Sequence, residues 1–217
     1  MTIGSMLGAV EQRLASSRLA ALAALWILLV AQVIWTVVFC VRTRPAFSSI
    51  YYPVIFLPAA AALAITRGRV RWVAALPRLL IGIAFVENVA DRLGLLGPPG
   101  APGVSWGDFS HFIAYTAQVN AFAPHAMIPV LAVLATIVEG TCGITMLLGV
   151  RVRLASAASA LLFFAFATAM VLSGLSQFQY AVYLMSAAAW TLATIDASAF
   201  SVDALLARTP WRTTAAA

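Results

Sequence analysis

A chain of 217 residues that is 63% hydrophobic and 9% charged, with a mean hydropathy of +0.99, carries more apolar area than a water-soluble fold can hide. The composition excludes a soluble enzyme domain and predicts an all-α polytopic membrane protein. The net charge of +6 comes from arginines alone, scattered at the edges of apolar runs. That pattern excludes a nucleic-acid-binding domain and marks residues that sit beside lipid headgroups.

Residues 1–18 are short and mildly amphipathic, expected at the cytoplasmic surface. Residues 19–41 are uncharged and too long for the apolar core of a signal peptide, so they predict a retained transmembrane helix. After Arg42 and Arg44, residues 46–66 form a second uncharged run broken by Pro53 and Pro58. It reads as a second span or as a tilted, re-entrant segment, making residues 19–71 an N-terminal hairpin.

Arg67, Arg69 and Arg71 mark a cytoplasmic edge, and Pro77 suits the first turn of a helix over residues 79–93. That helix carries Glu87 and Asp91 one turn apart, with Asn88 and Arg92 on the adjacent face. Residues 94–103 (GLLGPPGAPG) break helix and strand alike and predict a loop. Residues 104–123 predict an amphipathic helix lying along the outer interface, with Ser105 as cap and Asp108 in the first turn. Its aromatics are Trp106, Phe109, Phe112 and Tyr115, of which Trp106, Phe109 and Phe112 are expected toward lipid or the bundle mouth, and Asp108 and His111 toward water.

Residues 127–153 (MIPVLAVLATIVEGTCGITMLLGVRVR) are an apolar run with Glu139 near the middle. A carboxylate at the centre of a membrane helix costs about 3 kcal/mol, and such groups face a bundle interior and find a partner. Gly140, Thr141 and Gly143 let a neighbouring helix approach, so this helix is expected inside the bundle. Residues 154–173 and 178–195 predict a closing hairpin with a turn at 174–177, and residues 198–217 a cytoplasmic tail.

Six spans with both termini cytoplasmic place Arg13, Arg18, Arg67, Arg69, Arg71, Arg78, Arg151, Arg153, Arg208 and Arg212 inside, leaving Arg42, Arg44 and Arg92 outside. This is the distribution that the positive-inside rule favours for a bacterial inner-membrane protein. Cys40 and Cys142 make no redox motif, and His111 and His125 lie outside or at the edges of the apolar runs. A haem-ligand pair and a histidine metal site are therefore not expected. No phosphate-binding, dinucleotide-binding, zinc-protease or serine-elbow motif occurs.

From about residue 72 to 197 the chain resembles the DoxX family of bacterial membrane proteins. The resemblance rests on PRLLIGIAFVEN, the Gly/Pro loop, the aromatic amphipathic segment and IVEGTCGITMLLGVRVRLAS, with its intramembrane Glu and trailing Gly-x-x-Arg. Where many relatives carry a lysine after the polar position of the first helix, this chain has Asp91-Arg92. The resemblance implies a four-helix transmembrane core, to which the first seventy residues add a hairpin. It also implies an association with redox chemistry, including thiosulfate:quinone oxidoreduction and complexes with oxidative-stress enzymes.

The functional reading is an accessory subunit of a redox membrane complex, with a membrane or periplasmic redox protein as partner and the bilayer as surroundings. Glu139, Glu87 and Asp91 form a candidate acidic site for protons or a quinone headgroup, with Arg78, Asn88, Trp106 and His111 as candidate cofactor contacts. A purely structural role for Glu139 would instead pair it with Arg78 or with hydroxyls of Thr141, Ser156 or Tyr183. A scaffold or assembly factor and a small-solute transporter are the alternatives from other classes.

Overall fold

The computed structural model describes residues 3–45, 51–175 and 179–208, and it is all-α. Nine α-helices are described: α1 (Ile3–Ser16), α2 (Arg18–Thr43), α3 (Tyr51–Thr66), α4 (Arg71–Arg92), α5 (Phe109–Val119), α6 (Ile128–Leu148), α7 (Val152–Leu172), α8 (Gln179–Thr194) and α9 (Val202–Arg208). Among the described residues four stretches are long and apolar enough to cross a membrane: Arg18–Thr43, Arg71–Arg92, His125–Leu148 and Val152–Leu172. The other two expected spans, α3 and α8, are each 16 residues long in the described part. Residues 46–50, residues 176–177 of the expected turn and residues 209–217 of the expected tail lie outside the described residues.

The interior helix is α8, where the sequence pointed to the helix of Glu139. Leu184 to Ala189 and Thr191 to Thr194 are all buried, which surrounds the helix on every side. Its alanine-rich sequence explains this, since small side chains let α7, α2 and α4 approach its backbone. α6 instead stands on the perimeter. It turns Ile128, Ala132, Glu139, Cys142, Gly143 and Met146 inward and leaves Val130, Ile137 and Ile144 exposed on its outer side.

One contiguous buried cluster joins Leu25 and Leu29 of α2 and Phe56, Ala60 and Leu63 of α3 to Ile81, Phe85, Met146, Phe163 and Leu192. α2 packs on α8 and α3 on α4, so both helices share the core. The Trp190 indole donates to Ser17 Oγ at 3.0 Å, fixing the start of α2 against α8.

Three boundaries differ from expectation. α4 begins at Arg71, placing Pro77 inside the helix; the residue is buried, and its missing N–H is tolerated because neighbouring helices pack around it. The amphipathic segment is helical only over Phe109–Val119 and is capped by Asp108, whose side chain accepts from His111 N. Ser105, the expected cap, donates its backbone N–H to Asp91. Helix α5 stops before Pro124, which precedes a short 3-10 turn over His125–Met127.

The two ends of the bundle differ in charge. At one end Arg18 donates to the Arg67 carbonyl at 2.7 Å and Arg71 pairs with Asp196 at 2.9 Å. Burial works against the Asp196 carboxylate, yet two hydrogen bonds from Ser198 and the charges of Arg71 and Arg153 outweigh it and hold the group below its usual range. At the same end Arg78, fully buried, donates to the carbonyls of Ala197 and Phe200.

Candidate functional site

At the other end, a cavity of about 450 Å³ opens between α4, α5, α6, α7 and α8. That volume lies within the range of small-molecule sites. Its walls are largely apolar, with Phe85, Leu131, Leu134, Phe163, Phe166 and Met185 among them. Polar groups gather at one pole: Asn88 and Arg92 from α4, Tyr115, Thr116 and Asn120 from α5 and its end, and Glu139 from α6.

The pole is organised by an ion pair. Arg92 Nη2 donates to Glu139 Oε2 at 2.7 Å, with the side chains 2% and 0% exposed. Arg92 Nη1 also reaches Thr136 Oγ1 at 3.3 Å. Its guanidinium carbon lies 3.7 Å from the centre of the Phe112 ring and 5.1 Å from that of Trp106. Aromatic faces attract a desolvated guanidinium, so the two rings stabilise the cation alongside the carboxylate. Glu139 Oε1, at the same pole, is buried and has no hydrogen-bond partner among the described residues; Arg92 Nε shares that condition.

Helix register produces the pair. α4 and α6 run antiparallel and meet closely where Gly82 faces Gly143: a Cβ on Gly82 would lie 3.2 Å from the Gly143 carbonyl oxygen. That approach brings the last turn of α4 level with the middle of α6.

Asp91 works on the other side of the same turn. Its carboxylate accepts the backbone N–H of Ser105 at 2.7 Å, of Gly107 at 2.8 Å and of Trp106 at 3.3 Å. These bonds hold the loop so that Trp106 covers Arg92. Gly107 is required in that loop: its φ is +73°, and a Cβ there would fall 2.3 Å from Pro99 N.

The three carboxylates expected in one acidic site are thus separated. Glu139 lines the cavity, Asp91 is bound to loop amides, and Glu87 is exposed on the outer side of α4. Of the four candidate cofactor contacts, Asn88 and Trp106 line the cavity. His111 is exposed on α5 and pairs with Asp108 at 2.9 Å. Arg78 precedes Arg92 by fourteen residues, about 21 Å along α4, and so cannot be the partner of Glu139. Thr141, Ser156 and Tyr183, the other expected partners, bond to Ile137 O, Met146 S and Thr168.

Residues 107–214 match the family described as TQO small subunit DoxD. No curated protein and no solved structure matches the chain. The DoxD match covers just under half of the 217 residues and is consistent with the membrane architecture. Its range takes in α5 to α9 and therefore Glu139, Tyr115 and Thr116, while Asp91 and Arg92 lie before it. The ion pair joins the DoxD-like part of the chain to the segment in front of it. Sequence reasoning found Glu139 but missed Arg92 as its partner; the only local signal was an Asp-Arg pair closing an apolar helix.

Proposed function

We propose that the chain is a membrane subunit of a quinone-linked redox complex and that the Arg92–Glu139 pole receives the headgroup of a quinone or quinol. The observation that carries this reading is the buried, unpartnered Oε1 of Glu139 at the polar end of an otherwise apolar cavity. A buried carboxylate oxygen without a donor is unfavourable, and a quinol hydroxyl supplies one. The aromatic and aliphatic walls suit the ring, and Arg92, held by Glu139, Phe112 and Trp106, balances charge as protons arrive or leave. A quinone takes up two electrons and two protons. In this reading the partner protein delivers the electrons and Glu139 holds a proton at the ring oxygen. The DoxD match and the DoxX resemblance, with its link to thiosulfate:quinone oxidoreduction, support the assignment to such a complex.

The test is binding of a short-chain quinone analogue, decylubiquinone, to the purified chain in nanodiscs, read by calorimetry. Saturable binding that weakens at least about tenfold, about 1.4 kcal/mol, in Glu139→Gln is expected. Equal affinity in parent and variant would reject the site.

A further inference from the structure

The outer face of α4 carries an observation that the cavity does not use. Trp72, Leu76, Ile83 and Glu87 fall on one side of this helix at spacings of four, seven and four residues, and all are exposed. Glu87 makes no hydrogen bond or ion pair among the described residues. Its depth follows from the α4–α6 register. Gly82 lies beside Gly143, Val89 beside Gly140, and Arg92 reaches Thr136 and Glu139. Glu87 is therefore level with residues 140–142, about 5 Å from the midpoint of α6 and about 10 Å inside the nearer hydrocarbon boundary. A carboxylate facing acyl chains there is strongly unfavourable, and intramembrane charges as a rule pair with another group.

We infer that the Trp72–Leu76–Ile83–Glu87 face of α4 docks a transmembrane helix of a different subunit, which presents an arginine or lysine to Glu87. Charge complementarity makes that choice over a second copy. Beyond Arg71 at its start, the arginines of α4 are Arg78 and Arg92, and both are buried and bonded within this chain. Two copies meeting through this face would place carboxylate against carboxylate. The partner helix supplies the cation, and its apolar residues cover Ile83, Leu76 and Trp72. This face lies away from Asn88 and Arg92, so the inference stands independently of what the cavity binds.

The test places the photo-crosslinker p-benzoylphenylalanine at position 83 of the full chain in its native membranes, with position 137 on the exposed side of α6 as reference. The expected result is an adduct at position 83 with one other membrane protein, whose crosslinked transmembrane segment contains Arg or Lys. Glu87→Gln, which keeps shape and hydrogen-bonding capacity, should lower the adduct yield about threefold to twentyfold, as loss of one interhelical polar contact does. Glu87→Lys should abolish it, and exchanging the partner's cation for Glu should restore it. Adducts with lipid alone, adducts with a second copy, or a yield unchanged in Glu87→Gln would each overturn the inference. Heat stability of Glu87→Gln in detergent equal to that of the parent identifies the change in yield as loss of docking.

Discussion

Asp91 and Arg92 are neighbours in the chain, both are buried, and they bond in different directions. Asp91 takes the amides of the 105–107 loop, while Arg92 takes Glu139 across the helix interface. One turn of α4 thereby fixes both the wall of the cavity and its charged pole.

The pair predicts a specific order of stabilities. Glu139→Leu leaves the Arg92 cation buried with no anion and should lower stability by about 3–5 kcal/mol. The double change Arg92→Leu with Glu139→Leu should recover most of that loss, because neither charge remains to be desolvated. Thermal unfolding of the three chains in one detergent checks the order. A double variant no more stable than Glu139→Leu would show that the charges are not coupled.

Asp91→Ala should detach the loop. Its carboxylate accepts three backbone N–H groups, and hydrogen bonds to a charged acceptor are worth about 1.5–3 kcal/mol. The expected outcome is a loss in that range together with rapid protease cleavage between residues 97 and 104. Asp91→Asn, which keeps one acceptor oxygen, should fall between the two.

The start of α5 predicts a pH dependence. Asp108 is held below the usual carboxylate range chiefly by the His111 backbone N–H, assisted by the His111 side chain. A carboxyl with a lowered folded-state value stabilises the fold above its ordinary value of about 3.9, and that contribution disappears as pH falls through the lowered value. The parent should therefore exceed Asp108→Asn in stability at pH 6, and the difference should shrink as pH falls through the lowered value. A constant difference down to the lowest pH would refute the capping role.

Topology supplies a fourth prediction. The bundle end that gathers Arg18, Arg67, Arg71 and Arg78 should be cytoplasmic. Reporter fusions after Ser49 and within residues 98–102 should then register the outer side. A cytoplasmic signal from both would invert the orientation.

The apolar runs made the helices legible, because length and hydropathy alone separate spans from loops. Their inward faces were much less so. In water a helix shows its buried side as a stripe against polar residues, but around α4 and α6 lipid and core are both apolar and the stripe vanishes. Glu87 and Asp91 thus read as one acidic face, although one is exposed and the other buried. Arg92 at a helix end reads as a headgroup contact until the Gly82–Gly143 approach places it beside Glu139. The aromatic segment was identifiable as amphipathic, while its use as the cover of a cavity depends on the loop bonds of Asp91.

The buried Arg78 has a consequence for how the chain is made. Its two acceptors, the carbonyls of Ala197 and Phe200, lie about 120 residues downstream, so the ribosome adds them long after α4 has been released. At about 5–20 residues per second the nascent chain carries this guanidinium without its final acceptors for several seconds or more. During that interval α4 has reason to stay near the membrane surface or to be held by the insertion machinery. Final seating of Arg78 is then a late event, completed when residues 197–200 arrive. Chains stopped before Ala197 lack both acceptors of Arg78, even with every residue of the cavity lining already in place.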